Sequence, residues 1–427
     1  MSSHHIIDDA KKKTSLAAGA GEQLMGGSRE NLALLLNRDF RSLWTAGMLN
    51  WIVFGIEQLA TSIYIFSITQ SPLMVTSLVA ARMIPMIILG SIAGAVSERL
   101  PGIPLLSFGY WTLAIVFFTL GAISVWGDIQ LWHIFVGAFF TGTGLTLDNT
   151  VRRKAIGELA SETALGPAMS LDITTLMLAM LLGPLVGGML YEHAGLSGVY
   201  FCIGLCFVVA QAAIRKTLLP AVEKYHKERR LFSEIIEGIR YARSNRIITA
   251  TLVITIVMNV FVLALYGLVP VVGIDVLKLK PSINGVLLAS NGAGGFIGAL
   301  LISIYGAQSQ YRRYFFWGSL LLSASILAFS ISTTFYLSVA LLMVGGFGLA
   351  GFGTMQVALL LLETPSHLRA RILGLLTVCI GVGPIGVLHV GYMAEIFGTV
   401  NGLGMIALEG IAIITIIGFV WPELRKT

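Results

Sequence analysis

Two ionisable residues lie where charge is hardest to keep: Glu57 and Arg82 fall midway along the first and second long apolar stretches of the chain. Charges at such depth are rare and usually face a bundle interior or a water-filled cavity. At 1.5 Å per helical residue, Glu57 lies about 18 Å from the outer end of its stretch and Arg82 about 13 Å from its own. Antiparallel neighbours at these depths bring the two side chains together. Burial favours the neutral carboxyl and a nearby guanidinium favours the charged one, so a pair whose contact breaks can take up and release a proton. A permanent ion pair locking two helices fits the same pattern, and both readings stay open. Asn50, Glu57, Thr61 and Tyr64 share one helical face and form a polar stripe. Asp172, shallow in the fifth stretch, and Glu409, midway along the twelfth, join the candidates for this cavity. Trp51, Asn259, Tyr266, Asn291 and Gln356 are further candidates to line it, whereas Glu363 and Glu395, at the ends of stretches, are expected to be solvated. His133 and His389 stand alone on apolar helices and read as structural.

The elements that position these residues follow from composition. The chain of 427 residues is 56% hydrophobic and only 12% charged, with a mean hydropathy of +0.84; ordinary soluble domains carry about 25% charged residues. Apolar stretches of the roughly 17–25 residues that cross a bilayer recur at 42–69, 73–97, 103–126, 129–151, 164–191, 197–219, 247–274, 283–305, 313–331, 335–361, 369–394 and 399–421. Helices satisfy their own backbone in lipid, so the fold class is an all-α membrane protein with twelve transmembrane helices. An even number of crossings puts both termini on one side. That side then holds every one of the 28 Lys and Arg residues except Arg82, Lys278 and Lys280. Such asymmetry predicts cytoplasmic termini, and it makes the net charge of +6 a matter of topology, with no nucleic-acid partner expected. Residues 1–41 have no apolar core and read as a cytoplasmic arm without a secretory signal.

Residues 220–246 differ from their surroundings. A charged run, KYHKERR, precedes a segment in which Leu231, Ile235, Ile239 and Ala242 line one side, predicting an amphipathic helix on the cytoplasmic surface. This segment separates a six-helix bundle at 42–219 from another at 247–421, with a tail at 422–427. The two bundles repeat each other. Gly188-Met-Leu-Tyr-Glu192-His-Ala-Gly195 matches Gly391-Tyr-Met-Ala-Glu395-Ile-Phe-Gly398, and Gly183-Pro184 matches Gly383-Pro384 upstream. Parallel six-helix repeats describe a pair of halves that rock around a central site.

Several motifs bear on motion and on class. Gly183-Pro184-Leu-Val-Gly187-Gly188 removes one backbone hydrogen bond and allows close helix contact, as suits a helix that repacks. The loop after the second stretch reads Gly94-Ala-Val-Ser-Glu98-Arg99-Leu-Pro-Gly102. Asp148, near the end of the fourth stretch, can pair with Arg99 across helices or with Arg152 one turn along. No phosphate-cradling Gly-x-x-x-x-Gly-Lys-Ser/Thr occurs, so ATP is not expected to drive the chain. Gly346-Phe-Gly348-Leu-Ala-Gly351 matches a dinucleotide string but has no preceding strand, so helix packing explains it. Cys202, Cys206 and Cys379 lie in apolar stretches as small filler. Neither an enzyme, a cofactor nor a metal site is expected.

These features, with NRDFRSLW at 37–44, Ser71-Pro72, Ala81-Arg82-Met-Ile-Pro85 and Glu237-Gly238-Ile-Arg-Tyr241, resemble the major facilitator superfamily over residues 37–421. The similarity is greatest to the branch holding the enterobactin exporter and the macrolide efflux pumps. The resemblance implies alternating access, a gating loop at Gly94–Gly102 that latches one state, and an association of the fifth-helix motif with export. In that loop Glu98 stands where the family has Asp, and the trailing basic residues are missing. The expectation is a monomeric secondary transporter in a bacterial inner membrane, exporting a siderophore- or drug-like molecule against protons. Proton-coupled uptake of a metabolite or iron-linked compound, and a non-transporting scaffold or sensor, are the alternatives.

Overall fold

The computed structural model describes residues 34, 36–127, 129–159, 165–217, 231–365 and 368–425. Residues 1–33 of the arm expected at 1–41, and the charged run before the linker helix, lie outside these residues, and the arm's last residues, from Arg38, belong to α1. Every regular element among the described residues is helical. The first four helices are α1 (Arg38–Thr69), α2 (Pro72–Arg99), α3 (Gly102–Trp126), and α4, built from Leu131–Leu147, a π turn Asp148–Arg152 and Arg153–Leu159. The continuous element Leu165–Ile214 is broken at Gly195 into α5 and α6. After the linker helix Leu231–Ser244 come α7 (Arg246–Val257, π turn Met258–Val262, 3₁₀ segment Leu263–Leu268, Val269–Asp275) and α8 (Pro281–Tyr305). The chain ends with α9 (Tyr311–Ser330), α10 (Phe335–Glu363), α11 (Arg369–Ile380 and Gly383–Phe397) and α12 (Thr399–Val420).

Local sequence accounts for the helix ends. The Asn37 side chain accepts hydrogen bonds from the Asp39 and Phe40 amides at 2.9 and 3.2 Å, so α1 starts four residues before its apolar stretch. Ser71 caps α2 with Pro72 at its first position, and Asn245 caps α7 through the Ile247 and Ile248 amides. Gly195 (φ 64°) and Gly398 (φ 84°) make the sharp reversals between α5 and α6 and between α11 and α12. Both need a backbone conformation that side-chain-bearing residues rarely adopt. These reversals occupy matching places in the sequence repeat.

The start of α1, the end of α12 and the linker helix share one end of the bundle, called here the tail face; α2, α8, α10 and α12 start from the opposite, far face. The halves are sewn together toward the far face. Gly188 of α5 lies on the Pro281 carbonyl of α8, Gly285 of α8 on the Pro184 carbonyl, and Gly292 on the Met180 backbone. On the other side, Gly391 of α11 packs on Leu73 and Thr76 of α2. Between apolar helices in lipid, such small-residue contacts are the main source of association. The Gly346 and Gly348 string serves the same end, seating α10 on α8 and α9.

The linker helix packs on the second half. Ala242 joins Ile248, Leu252, Leu360, Ile372 and Leu376 in a small core, and Glu237 pairs with Arg371 at 2.6 Å. Ile239, expected on the buried side, is 38% exposed, because the contact face runs through Gly238, Tyr241 and Ala242. At the chain end, Arg246 pairs with Glu423 at 2.8 Å. Hydrogen bonding by its own backbone amide and then by Arg246 holds the Glu423 carboxyl below its usual range.

Candidate functional site

The Glu57–Arg82 pair is built by three close approaches. Gly55 of α1 packs against Gly183 and Pro184 of α5, and Gly187 against Ile56, which fixes the rotation of α1 just before Glu57. Pro85 lies inside α2, three residues after Arg82. Gly142 of α4 rests on the Arg82 carbonyl and on Pro85 Cγ, so α2 is held where its helical ladder is interrupted. Glu57 and Arg82 are both buried, and Arg82 Nη2 lies 2.5 Å from Glu57 Oε2. The contact is an ion pair, and Arg82 Nε and Nη1 make no hydrogen bond among the described residues. The guanidinium lies 5.4 Å from the Phe54 ring centroid. Thr61 donates to the Glu57 carbonyl at 2.6 Å and stands 3.4 Å from Glu57 Oε1.

Not all of the polar stripe joins this pair. Asn50 is buried beside Gly144 of α4. Tyr64 is half-buried, and Tyr200 of α6 is fully buried with a hydroxyl that makes no hydrogen bond among the described residues. Sequence reasoning missed Tyr200 and Phe54. The rotation of α6 is set by a buried stripe, Tyr200, Ile203, Phe207, Ala210 and Ile214, whose Tyr200 and Phe207 rings pack on Phe117; in an almost wholly apolar stretch that spacing does not stand out. A buried guanidinium with spare donors beside a carboxylate can hold an acceptor group, or exchange its ionic partner for one.

A second charged cluster lies toward the tail face. The π turn in α4 presents Arg152 inward, where Nε and Nη2 contact Asp148 Oδ1 and Oδ2 at 2.5 and 2.8 Å. Nη2 also reaches Asp172 Oδ1 at 2.7 Å, and Arg153 Nε reaches Asp172 Oδ2 at 2.9 Å. Two carboxylates thus neutralise two guanidinium groups, and Asp148 and Arg152 have no exposed surface. Of the two pairings open for Asp148, this is the one within α4. The helix α2 extends through Glu98 and Arg99, but the side chains of Gly94, Glu98 and Arg99 lie outside the described residues. Asp172 was expected with Glu57; instead the start of α5 holds it against Arg152 and Arg153.

The remaining candidates divide between the halves. Gly383-Pro384 opens the second segment of α11, after a break at 381–382, with Gly383 against Met83 Cε and near Asn259. Glu409 is half-buried on α12 with no ion-pair partner among the described residues. Glu363, expected to be solvated, pairs with Arg312 at 2.7 Å. Glu395, expected likewise, accepts from Ser71 Oγ at 2.8 Å. His133 caps α4 through the Gln130 amide, and His389 packs edge-on to Phe261. In the second half the irregular middle of α7 is flanked by uncharged polar groups. Gln356 donates to Thr255 Oγ1 at 2.6 Å, Asn259 to the Thr255 carbonyl at 2.9 Å, and Asn291 to Tyr266 Oη at 2.6 Å. Ion pairing at depth is therefore confined to the first half, among the described residues.

Comparison with known proteins agrees with this architecture. Macrolide efflux protein A of Streptococcus pyogenes is 20% identical over 400 residues, spanning 91% of this chain and 96% of that protein. An uncharacterised MFS-type transporter of Methanocaldococcus jannaschii is 24% identical over 273 residues, 61% of this chain and 68% of that protein. Among solved structures, a bacterial homologue of the human lysosomal transporter Spinster, inward-facing and unoccupied, superposes with a TM-score of 0.72 at 12% identity, covering 93% and 98% of the two chains. A bacterial homologue of the iron transporter ferroportin, also inward-facing, gives 0.67 at 15% identity, covering 92% and 100%. The model of the transmembrane secretion effector family matches residues 30–425. The chain belongs to that family, and with it to the major facilitator superfamily of transporters, which are not enzymes.

Proposed function

We propose that this protein exports a small organic molecule from the cytoplasm in exchange for protons, with Glu57 and Arg82 as the coupling pair. The observation that carries the reading is the buried contact between them, in which Arg82 keeps two donors unused. In the resting state the Glu57 carboxyl is seated against the Arg82 guanidinium. A proton on Glu57 releases the guanidinium, whose donors and the Tyr200 hydroxyl then meet an acceptor on the substrate or water. Rocking of the halves returns the contact and expels the proton. Asn259, Asn291 and Gln356 form the uncharged wall that reads the molecule's polar groups. Efflux is favoured by the relative named as a macrolide efflux protein and by the Gly183-Pro184-x-x-Gly187-Gly188 motif.

The positive-inside tally supports cytoplasmic termini, so that the tail face is cytoplasmic, and a bacterial inner membrane as the location. Each polypeptide holds both halves and works as a monomer. The test is substrate-driven proton movement in vesicles of both orientations, with a panel of macrolides and siderophores. Wild-type protein moves protons against substrate; Glu57→Gln retains substrate binding and loses coupled proton movement at least tenfold, and Arg82→Ala loses both. Normal coupled transport by both folded variants refutes the pair's role, and substrate and proton moving in the same direction refutes export.

A further inference from the structure

We infer that Glu192 and Glu395 are a matched pair of interhelical latches that close the far face, each carboxylate capping the first turn of a helix in the opposite half. Glu192 ends α5 in the first half, and its Oε2 accepts from the Ser282 amide of α8 at 3.0 Å. Glu395 ends α11 in the second half, and its Oε2 accepts from the Leu73 amide of α2 at 3.2 Å and from Ser71 Oγ at 2.8 Å. The two contacts are the same contact made twice. Both glutamates stand four residues after a glycine that packs on the opposing helix, Gly188 on α8 and Gly391 on α2. Both receiving helices begin with proline, Pro72 or Pro281, and each carboxylate takes the next amide.

The receiving ends are open to such caps. A helix leaves its first amides unsatisfied and positive. Lys280, at the cap position of α8, offers no side-chain acceptor, so Glu192 supplies from the other half the cap that α8 lacks. Ser71 caps α2 through the Met74 amide, and Glu395 takes the amide that Ser71 leaves. Each bond crosses between halves and breaks when the far face opens. The carboxylates therefore weight the equilibrium toward the closed far face without touching the central site, whichever way substrate moves and whatever ion is coupled.

Spin labels at Val125→Cys and Tyr336→Cys, on exposed far-face ends of α3 and α10, report the opening, with Cys202, Cys206 and Cys379 replaced. In full-length protein in lipid nanodiscs, Glu192→Ala or Glu395→Ala raises the ratio of long to short distances about fivefold, and the double variant about 25-fold. Glu→Gln keeps an acceptor for the amide and gives a smaller shift in the same direction. If the alanine variants fail to fold, the glutamine pair decides. An unchanged distance distribution in folded variants overturns the latch, because a cap that serves only helix stability lowers the unfolding temperature and leaves the distances alone. Absence of proton coupling at Glu57 leaves this readout unaffected.

Discussion

Arg152 Nη2 lies 2.7 Å from Asp172 Oδ1, so the π turn of α4 and the start of α5 are joined by an ion pair buried at the tail-face end of the first half. Removing Asp172 leaves one carboxylate, Asp148, against two guanidinium groups, with Arg152 shut off from solvent. Asp172→Ala is expected to destabilise the protein by about 3–5 kcal/mol, and Asp172→Asn by less, since the amide oxygen still accepts. Thermal unfolding in detergent, followed by tryptophan fluorescence, measures both. A loss confined to transport, with unchanged unfolding, contradicts a structural lock.

Gly142 meets the Arg82 carbonyl, and a methyl group there has backbone to displace, with no flexible side chain to give way. Gly142→Ala is expected to cost about 1–3 kcal/mol and to push α2 from α4, lowering transport without changing any charged residue. Transport rate per folded molecule, compared with the Glu57→Gln variant, reports whether Arg82 has lost its position.

The two reversals predict a conformational cost free of clash. Nothing lies within 4 Å of an added Cβ at Gly195 or Gly398, yet φ is positive at both. Each Gly→Ala change is expected to destabilise by about 1–2 kcal/mol. Gly90→Ala, in open space within α2, serves as the control and is expected to be neutral or stabilising by about 0.5–1 kcal/mol.

Sidedness is checked by single cysteines. Tyr336→Cys, on the far face, is expected to react with a membrane-impermeant maleimide on intact cells, and Arg243→Cys in the linker helix only after permeabilisation. The reverse pattern inverts the proposed topology and with it the direction of export.

The Arg246–Glu423 contact gives a pH dependence of known sign. Its carboxyl is held below the usual range, so the contribution is full above the ordinary carboxylate value and fades as pH falls through the lowered one. A Glu423→Gln variant is expected to unfold at a lower temperature than wild type at neutral pH and at the same temperature in acid.

The helix count and the Glu57–Arg82 contact were legible because both follow from counting along single helices. Hydropathy length marks each crossing, and equal depth brings two antiparallel charges level. What was not legible depends on helix rotation or on breaks in helical register. Arg152 reaches Asp172 through a π turn that no residue in Asp148–Arg152 announces. Tyr200 is buried against Phe117, a contact between helices that counting along α6 alone does not show. Glu395 is exposed as expected, but its partners, Ser71 and Leu73, lie in the other half of the chain, where counting along α11 cannot show them. The repeat itself contained the clue, since Glu192 and Glu395 match within it.

The docking of the linker helix through Ala242, Tyr241 and the Glu237–Arg371 pair sets a mechanical boundary. Leu231–Ser244 is thus carried with the second half. A fluorophore or binder attached at Ile239 would report the angle of the second half alone. An insertion placed between Thr217 and Leu231 would alter the coupling between halves without disturbing either bundle.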